Sequence, residues 1–169
     1  AIAMPRQFVN IPAMPANRGT GTFAQLMFPA PFTFGTNGQT NMDNTAATTS
    51  AGVPGGACIL GGNASVTADL WFSYTATCTG RLTIDMCATG GVVTDTTLQL
   101  FTGTCGALTE VACDDDSCGD IDNLLSAIID FNVTTGQQFY IRVGQWTGNP
   151  PGGVGPMIMT IGCVVPSDD

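Results

Sequence analysis

Turn signals recur at short, regular intervals through the second half of this 169-residue chain. Groups such as Cys78-Thr79-Gly80 separate runs in which apolar and polar residues alternate, as in Leu82-Thr83-Ile84 and Leu98-Gln99-Leu100. Alternation with a period of two is the pattern of a strand with one buried face. Strands separated by turns at intervals of roughly 8–12 residues are typical of a sandwich or a jelly roll. The predicted strands are Asp69–Thr77, Arg81–Met86, Thr96–Thr102, Leu108–Cys113, Leu124–Val133, Gln138–Val143 and Pro156–Gly162.

The pattern therefore predicts an all-β fold, a jelly-roll-like antiparallel β-sandwich with an extended N-terminal arm. We assign the sandwich to residues 57–163 and a short C-terminal tail to residues 164–169. Residues 36–56 are rich in Thr, Gly and Asn, and this composition predicts a linker or long loop.

The arm, residues 1–35, differs from the rest of the chain because it is apolar and has two Arg, no acid and no Cys. Proline breaks helices and interrupts strands, so only short extended pieces are expected here, Gln7–Ile11 and Thr22–Phe28. The prolines that bound them are Pro5, Pro12, Pro15, Pro29 and Pro31. Such an arm has two uses: it supplies strands to its own sandwich, or it completes the sheet of another copy as a donor strand.

The charge pattern excludes several function classes. The chain has 13 acidic residues, four Arg, no Lys and no His, for a net charge of −9. Nucleic-acid binding depends on cations that neutralise phosphates, so it is not expected, and no apolar run approaches the ~20 residues of a membrane span. Without His or Lys, the usual activated nucleophiles and Schiff bases are lacking. A pair of carboxylates could serve a glycosidase, but Glu110 is the only Glu. We predict a protein that is not an enzyme.

Seven cysteines indicate an oxidising compartment, and we expect a secreted or cell-surface protein. The first residue, Ala1, fits a mature product whose export signal has been removed. The spacing does not form a zinc pattern, and an odd number leaves at least one thiol free or paired between molecules. Cys78 and Cys87 would lie ~30 Å apart at the two ends of one strand, too far for a bridge. The disulfide candidates are Cys58, Cys78, Cys87, Cys105, Cys113, Cys118 and Cys163.

The densest chemical signal is the acidic segment Cys113–Asp122, with five carboxylates in nine residues from Asp114 onward. Calcium takes six to eight oxygen ligands and would relieve the repulsion among these charges. Asp114, Asp116 and Gly119 have the one-three-six spacing of a calcium loop, but Leu125 stands where an EF-hand has its bidentate Glu. A solvated acidic turn is the alternative. The candidate Ca²⁺ ligands are Asp114, Asp115, Asp116, Asp120, Asp122 and Asp95, with Asp69 a weaker candidate.

Two further kinds of candidate site are present. Trp146 is expected in the glycine-rich loop Gly144–Gly155, where it would stack on a sugar ring or cap the sandwich edge. The triplets beginning at Asn63 and Asn132 match the N-glycosylation pattern, which also arises by chance in a Thr-rich chain.

The segments Asp69-Leu-Trp-Phe-Ser-Tyr-Thr-Ala, Asp95-Thr-Thr-Leu-Gln-Leu-Phe-Thr-Gly-Thr-Cys and Cys-Asp-Asp-Asp-Ser-Cys-Gly, with Gln138-Phe-Tyr-Ile-Arg-Val-Gly, follow one another in this order. Together they resemble bacterial pre-peptidase C-terminal-like (PPC-like) domains of the cysteine-bearing, secreted type, over about residues 57–163. The resemblance implies a jelly-roll-like sandwich, an extracellular location, frequent calcium binding and no catalytic role. It places the family's acidic loop on Asp114, Asp115 and Asp116 and its strand-opening Asp on Asp95. The arm, residues 1–35, is a departure from the family.

Two functions follow as expectations. In the first, the chain is a structural subunit that binds other copies of itself through its arm, as head-to-tail contacts propagate into filaments or layers. In the second, it is a carbohydrate-binding or adhesion module that recognises a polysaccharide. The arm favours assembly, because a simple binding module does not need it.

Overall fold

The computed structural model describes residues 32–34, 38–53, 66–104, 106–119, 124–147 and 153–166. These residues form nine strands and no helix. The arm, residues 1–35, lies outside the described residues except for the backbone of Phe32–Phe34. The strands are β1 Phe32–Phe34, β2 Gly38–Asp43, β3 Val66–Thr75, β4 Gly80–Asp85, β5 Thr96–Thr104, β6 Ala107–Asp114, β7 Ala127–Val133, β8 Gln138–Trp146 and β9 Pro156–Val164.

The strands form two packed sheets, with the orders β1-β3-β8-β5-β6 and β2-β9-β4-β7. Every neighbouring pair is antiparallel except β1 and β3, which are parallel. Apart from the β5–β6 hairpin, each strand from β2 onward is followed in sequence by a strand of the opposite sheet. Two four-stranded sheets interleaved in this way, with β1 added at one edge, are a jelly roll. The predicted fold class is therefore confirmed.

The core lies between the two sheets and follows the period-two pattern of the sequence. In β9, Met157, Met159, Ile161 and Cys163 are buried, and the residues between them are only partly so. Among the described residues, the largest fully buried side chain is that of Tyr74, which belongs to β3 of the other sheet and to the same core. Because alternate residues of a strand point to opposite faces, each strand contributes one apolar row to this core.

All seven strands predicted from the pattern are present within a few residues of their expected ends. β2 was not predicted, because it lies in the segment 36–56 that composition assigned to a linker or loop. It pairs with β9 over six residues, from Gly38 opposite Ile161 to Asp43 opposite Pro156. Met42 is the only large apolar residue of β2 and is buried, so the alternation that identifies a strand is nearly missing from the sequence. The sandwich therefore extends on both sides beyond residues 57–163.

Two disulfides join described residues, Cys78 to Cys163 and Cys87 to Cys118. The first ties the turn after β3 to β9, and the second ties the end of β4 to the acidic loop. Cys113 is also disulfide-bonded, and its partner lies outside the described residues, as do Cys58 and Cys105. Disulfides are typical of extracellular proteins, which is the compartment that the cysteine content predicted.

A buried ion pair lies on the outer face of the first sheet. Arg142 of β8 donates from Nε to Asp69 Oδ2 at 3.0 Å, and both side chains are almost fully buried. The same guanidinium donates to Gln99 Oε1 and to the carbonyl of Val66. Trp71 Nε1 also donates to Asp69 Oδ2, at 2.8 Å. Asp69 is therefore committed to this network, and its weak candidacy as a metal ligand is not supported.

Candidate metal site

The acidic loop begins where β6 ends, at Asp114. The Cys87–Cys118 disulfide holds the loop at its far side, and the amide of Cys118 donates to the carbonyl of Leu125 at 2.9 Å. Gly119 has φ +123°, a backbone conformation that residues with a side chain rarely adopt, which explains a glycine at this turn. The loop is thus fixed at both ends against the start of β5 and the segment before β7.

Asp114 shapes the loop by hydrogen bonding. Its Oδ2 accepts from the amide of Ala127 at 2.7 Å and from the amide of Ser117 at 3.0 Å. Its Oδ1 accepts from the hydroxyl of Ser117. Asp114 is not one of the three carboxylates that the structure brings together, although its charge helps to raise the pKa of Asp116.

Three carboxylates converge at one end of the sandwich. One oxygen from each of Asp95, Asp115 and Asp116 lies within 4.8 Å of the other two. Asp95 immediately precedes β5 and bridges to Leu124, while Asp115 and Asp116 follow β6, the neighbour of β5. Asp95 and Asp115 are only 5% and 4% exposed. We refer to these three residues as the aspartate cluster.

The hydrogen bonds of the aspartate cluster do not satisfy all of its oxygens. Asp115 Oδ1 accepts from the hydroxyl of Thr97 at 3.0 Å. Asp95 Oδ1 is buried and has no hydrogen-bond partner. A buried carboxylate oxygen without a donor is costly and is rare in folded proteins. Asp95, which carries this unpartnered oxygen, belongs to the aspartate cluster, an arrangement that a hard cation would bind.

The same geometry raises two pKa values. Burial, followed by the charges of Asp115 and Asp116, raises the pKa of Asp95 to about 7. The pKa of Asp116 is also raised, by burial and then by the charges of Asp115 and Asp114. Like charges held together out of water favour the neutral acids. A bound cation would reverse this preference and keep the carboxylates ionised at neutral pH.

The donor set fits a hard cation such as calcium better than zinc or copper. It consists only of carboxylate oxygens, whereas zinc and copper sites use His or Cys, and the chain has no His. Three carboxylates supply between three and six oxygens, according to whether each binds through one or both, and calcium accepts water for the remainder. Asp120 and Asp122 lie outside the described residues. Of the predicted ligands, the structure therefore brings together Asp95, Asp115 and Asp116.

The other candidate residues lie elsewhere. Trp146 is the last residue of β8, paired with Val66 of β3, and is half-buried, so it does not stand in the glycine-rich loop as expected. Asn132 is exposed in β7, and its Oδ1 accepts from Arg81 at 3.1 Å. Asn63 lies outside the described residues.

Comparison of the chain with protein-family models, with curated proteins and with solved structures finds no match. Among the described residues, no helix has the length and apolar character needed to cross a membrane.

Proposed function

We propose that this chain is a non-catalytic extracellular structural protein, a calcium-stabilised sandwich subunit that assembles through its N-terminal arm. The observation that carries the calcium part is the unpartnered, buried Oδ1 of Asp95 within the aspartate cluster. A bound calcium ion would give that oxygen a partner and would neutralise the repulsion that helps to raise the pKa of Asp95.

Calcium in this role stabilises the fold. Asp95 belongs to the segment before β5, and Asp115 and Asp116 belong to the loop after β6. A cation shared among them joins two segments that are 20 residues apart in sequence. Because an ion that binds only the folded state stabilises it, millimolar calcium should raise the melting temperature, and EDTA should remove the increase. An unchanged melting temperature in calcium would contradict the metal assignment.

The last piece of the arm joins the sandwich of its own chain. β1 pairs in parallel with β3, from Phe32 opposite Phe72 to Phe34 opposite Tyr74, so these residues supply a strand to their own sheet. Assembly is proposed for the residues before β1, because adding an extended segment to a sheet edge is also a way to bind another copy. The residues before β1 are apolar, and a long apolar segment gains by covering another surface rather than staying in water.

The test uses two single substitutions in the full chain. The sequence predicts an extended piece over Thr22–Phe28, in which Leu26 would share a face with Ala24 and Phe28, and Gln25 would lie on the opposite face. We expect Leu26→Asp to abolish species larger than the monomer in light scattering at matched concentration. Gln25→Asp introduces the same charge one residue away and should assemble like the wild type. Equal assembly of Leu26→Asp and the wild type would contradict the role of the arm.

A further inference from the structure

A groove separates the two sheets along the side of the sandwich opposite β1. It has a volume of about 430 Å³ and runs between β6, the last strand of one sheet, and β7, the last strand of the other. We call it the β6–β7 groove. Its lining includes Ala112, Asp114, Ala127, Ile128, Asp130 and Phe131.

We propose that the β6–β7 groove is the surface that receives residues 1–31 of the N-terminal arm of a second copy of this chain. This inference rests on the proposed function and names the surface on which that function depends. The arm is proposed as the occupant because its charge, its predicted short extended pieces and its point of attachment are complementary to the groove.

The β6–β7 groove lies between the outer strands of the two sheets. Within the described part of the chain, β6 pairs only with β5, and β7 only with β4, so each has one edge without a strand partner. Both strands carry a register shift, β6 opposite Leu100–Phe101 and β7 opposite Leu82–Ile84. Such irregularities limit an added strand to short stretches of pairing. The prolines of the arm predict extended pieces of this short kind, Gln7–Ile11 and Thr22–Phe28.

The groove and residues 1–31 carry charges of opposite sign. The β6–β7 groove combines apolar side chains with the carboxylates of Asp114 and Asp130. Residues 1–31 contain Arg6 and Arg18 and no acidic residue, so all 13 acids lie in the rest of the chain. An apolar segment with a few cations is complementary to such a groove, and complementary charge favours the correct partner.

The groove and β1 lie at opposite edges of the five-stranded sheet. In the order β1-β3-β8-β5-β6, the attachment point of the arm and the groove lie at opposite edges of the sheet, four strand spacings or ~19 Å apart. An arm that leaves one edge and a groove at the other form two different, complementary surfaces. Contacts between unlike surfaces are head-to-tail and propagate through successive copies.

The test blocks the groove and then asks whether copies complement one another. Ala112 is half-buried in the groove, and we expect Ala112→Trp in the full chain to fill it. The concentration needed for half-assembly should rise by at least about tenfold. Val111 is exposed on the same strand and does not line the groove, so Val111→Trp is the matched control. Asp130→Lys, at an exposed position, reverses a charge of the groove and should weaken assembly through electrostatics. Melting curves establish that each variant is folded.

Complementation then distinguishes the possible outcomes. Leu26→Asp has a disabled arm and an intact groove, and Ala112→Trp has the reverse. Each should be monomeric alone, and a mixture should form a species of twice the 17.4 kDa chain mass that grows no further. If Ala112→Trp and Asp130→Lys assemble like the wild type, the groove is not the receiver, although the proposed function stands. If the mixture stays monomeric, the arm does not pass between copies. Unchanged assembly of Leu26→Asp would overturn the proposed function itself.

Discussion

Replacing Asp95 by Asn should stabilise the metal-free protein and reduce its response to calcium. The substitution keeps the shape of the side chain but removes the charge at the centre of the aspartate cluster. It also supplies amide hydrogens beside the carboxylates of Asp115 and Asp116. Few surface or core substitutions stabilise a protein, so the predicted direction is unusual and specific to this geometry.

The magnitude follows from the raised pKa of Asp95. A carboxyl whose pKa is about 7 in the folded state and near its ordinary value of 3.8 when unfolded binds more protons in the folded state between these two pH values. Stability without metal therefore falls as pH rises from about 4 to 7 and is level above that range. The full difference corresponds to about 4 kcal/mol. Solvent screening near the partly exposed Asp116 reduces this, so we expect about 2 kcal/mol to be measured.

Calcium should cancel this loss in the wild type. With a dissociation constant of about 10⁻⁴ M, typical of the tighter extracellular sites, about 10 mM calcium would stabilise the folded state by ~2.7 kcal/mol. The Asp95→Asn variant should gain much less, because one of the three carboxylates is missing. At pH 8 the variant should therefore be more stable than the wild type in EDTA and less stable than the wild type in calcium.

The assay is urea unfolding at pH 5 and pH 8, each in EDTA and in calcium, at one fixed protein concentration. Asp85→Asn is the matched control: it removes one charge from β4 while its remaining side-chain oxygen still accepts from the amide of Cys87. A lower stability of Asp95→Asn than of the wild type in EDTA at pH 8 would show that the charge of Asp95 does not destabilise the metal-free fold. A wild type whose stability does not fall between pH 5 and pH 8 without metal would contradict the raised pKa of Asp95.

Two predictions concern the scaffold. Replacing both Cys78 and Cys163 by Ala should cost about 4.5 kcal/mol, against about 3.5 kcal/mol for Cys87 and Cys118, because the bridges span 85 and 31 residues. Urea unfolding of the two double variants checks the order, and a larger loss for the shorter span would contradict it. Arg142→Met should destabilise by about 3 kcal/mol because Asp69 remains buried without its cation. Adding Asp69→Asn should recover part of that loss, and no recovery would show that the ion pair is not the cause.

The fold was predictable where the period-two pattern is strong. Apolar residues alternate with a polar one in Leu82–Ile84 of β4 and in Leu98–Leu100 of β5, and Phe139, Ile141 and Val143 of β8 form one buried row. β2 escaped prediction because its pairing with β9 is a backbone interaction that polar side chains also permit. The parallel addition of β1 beside β3 has no local signal either, because its partner lies 40 residues away in sequence.

The site was predictable in composition but not in arrangement. Consecutive aspartates indicated a cation, yet spacing alone favoured Asp114 and Asp116 as the ligands. In the structure Asp114 accepts hydrogen bonds from the amides of Ser117 and Ala127. The three carboxylates that lie together are those of Asp95, Asp115 and Asp116. Asp95 becomes part of the cluster only because β5 and β6 are neighbours in one sheet. Its position just before a strand indicated that Asp95 lies at an end of the sandwich. The order of strands in the sheet, which cannot be read from the sequence, determines that it lies beside Asp115 and Asp116.

The aspartate cluster and the β6–β7 groove share one segment of chain. Asp114 lines the groove and accepts from the amide of Ala127, another groove residue, while the next two residues belong to the cluster. Repulsion in the metal-free cluster acts on the same short loop that holds the ends of β6 and β7 together. A cation that removes this repulsion would fix the separation of the two strands and hence the width of the groove. Calcium binding and arm binding are therefore expected to favour each other, because both require the same placement of β6 against β7.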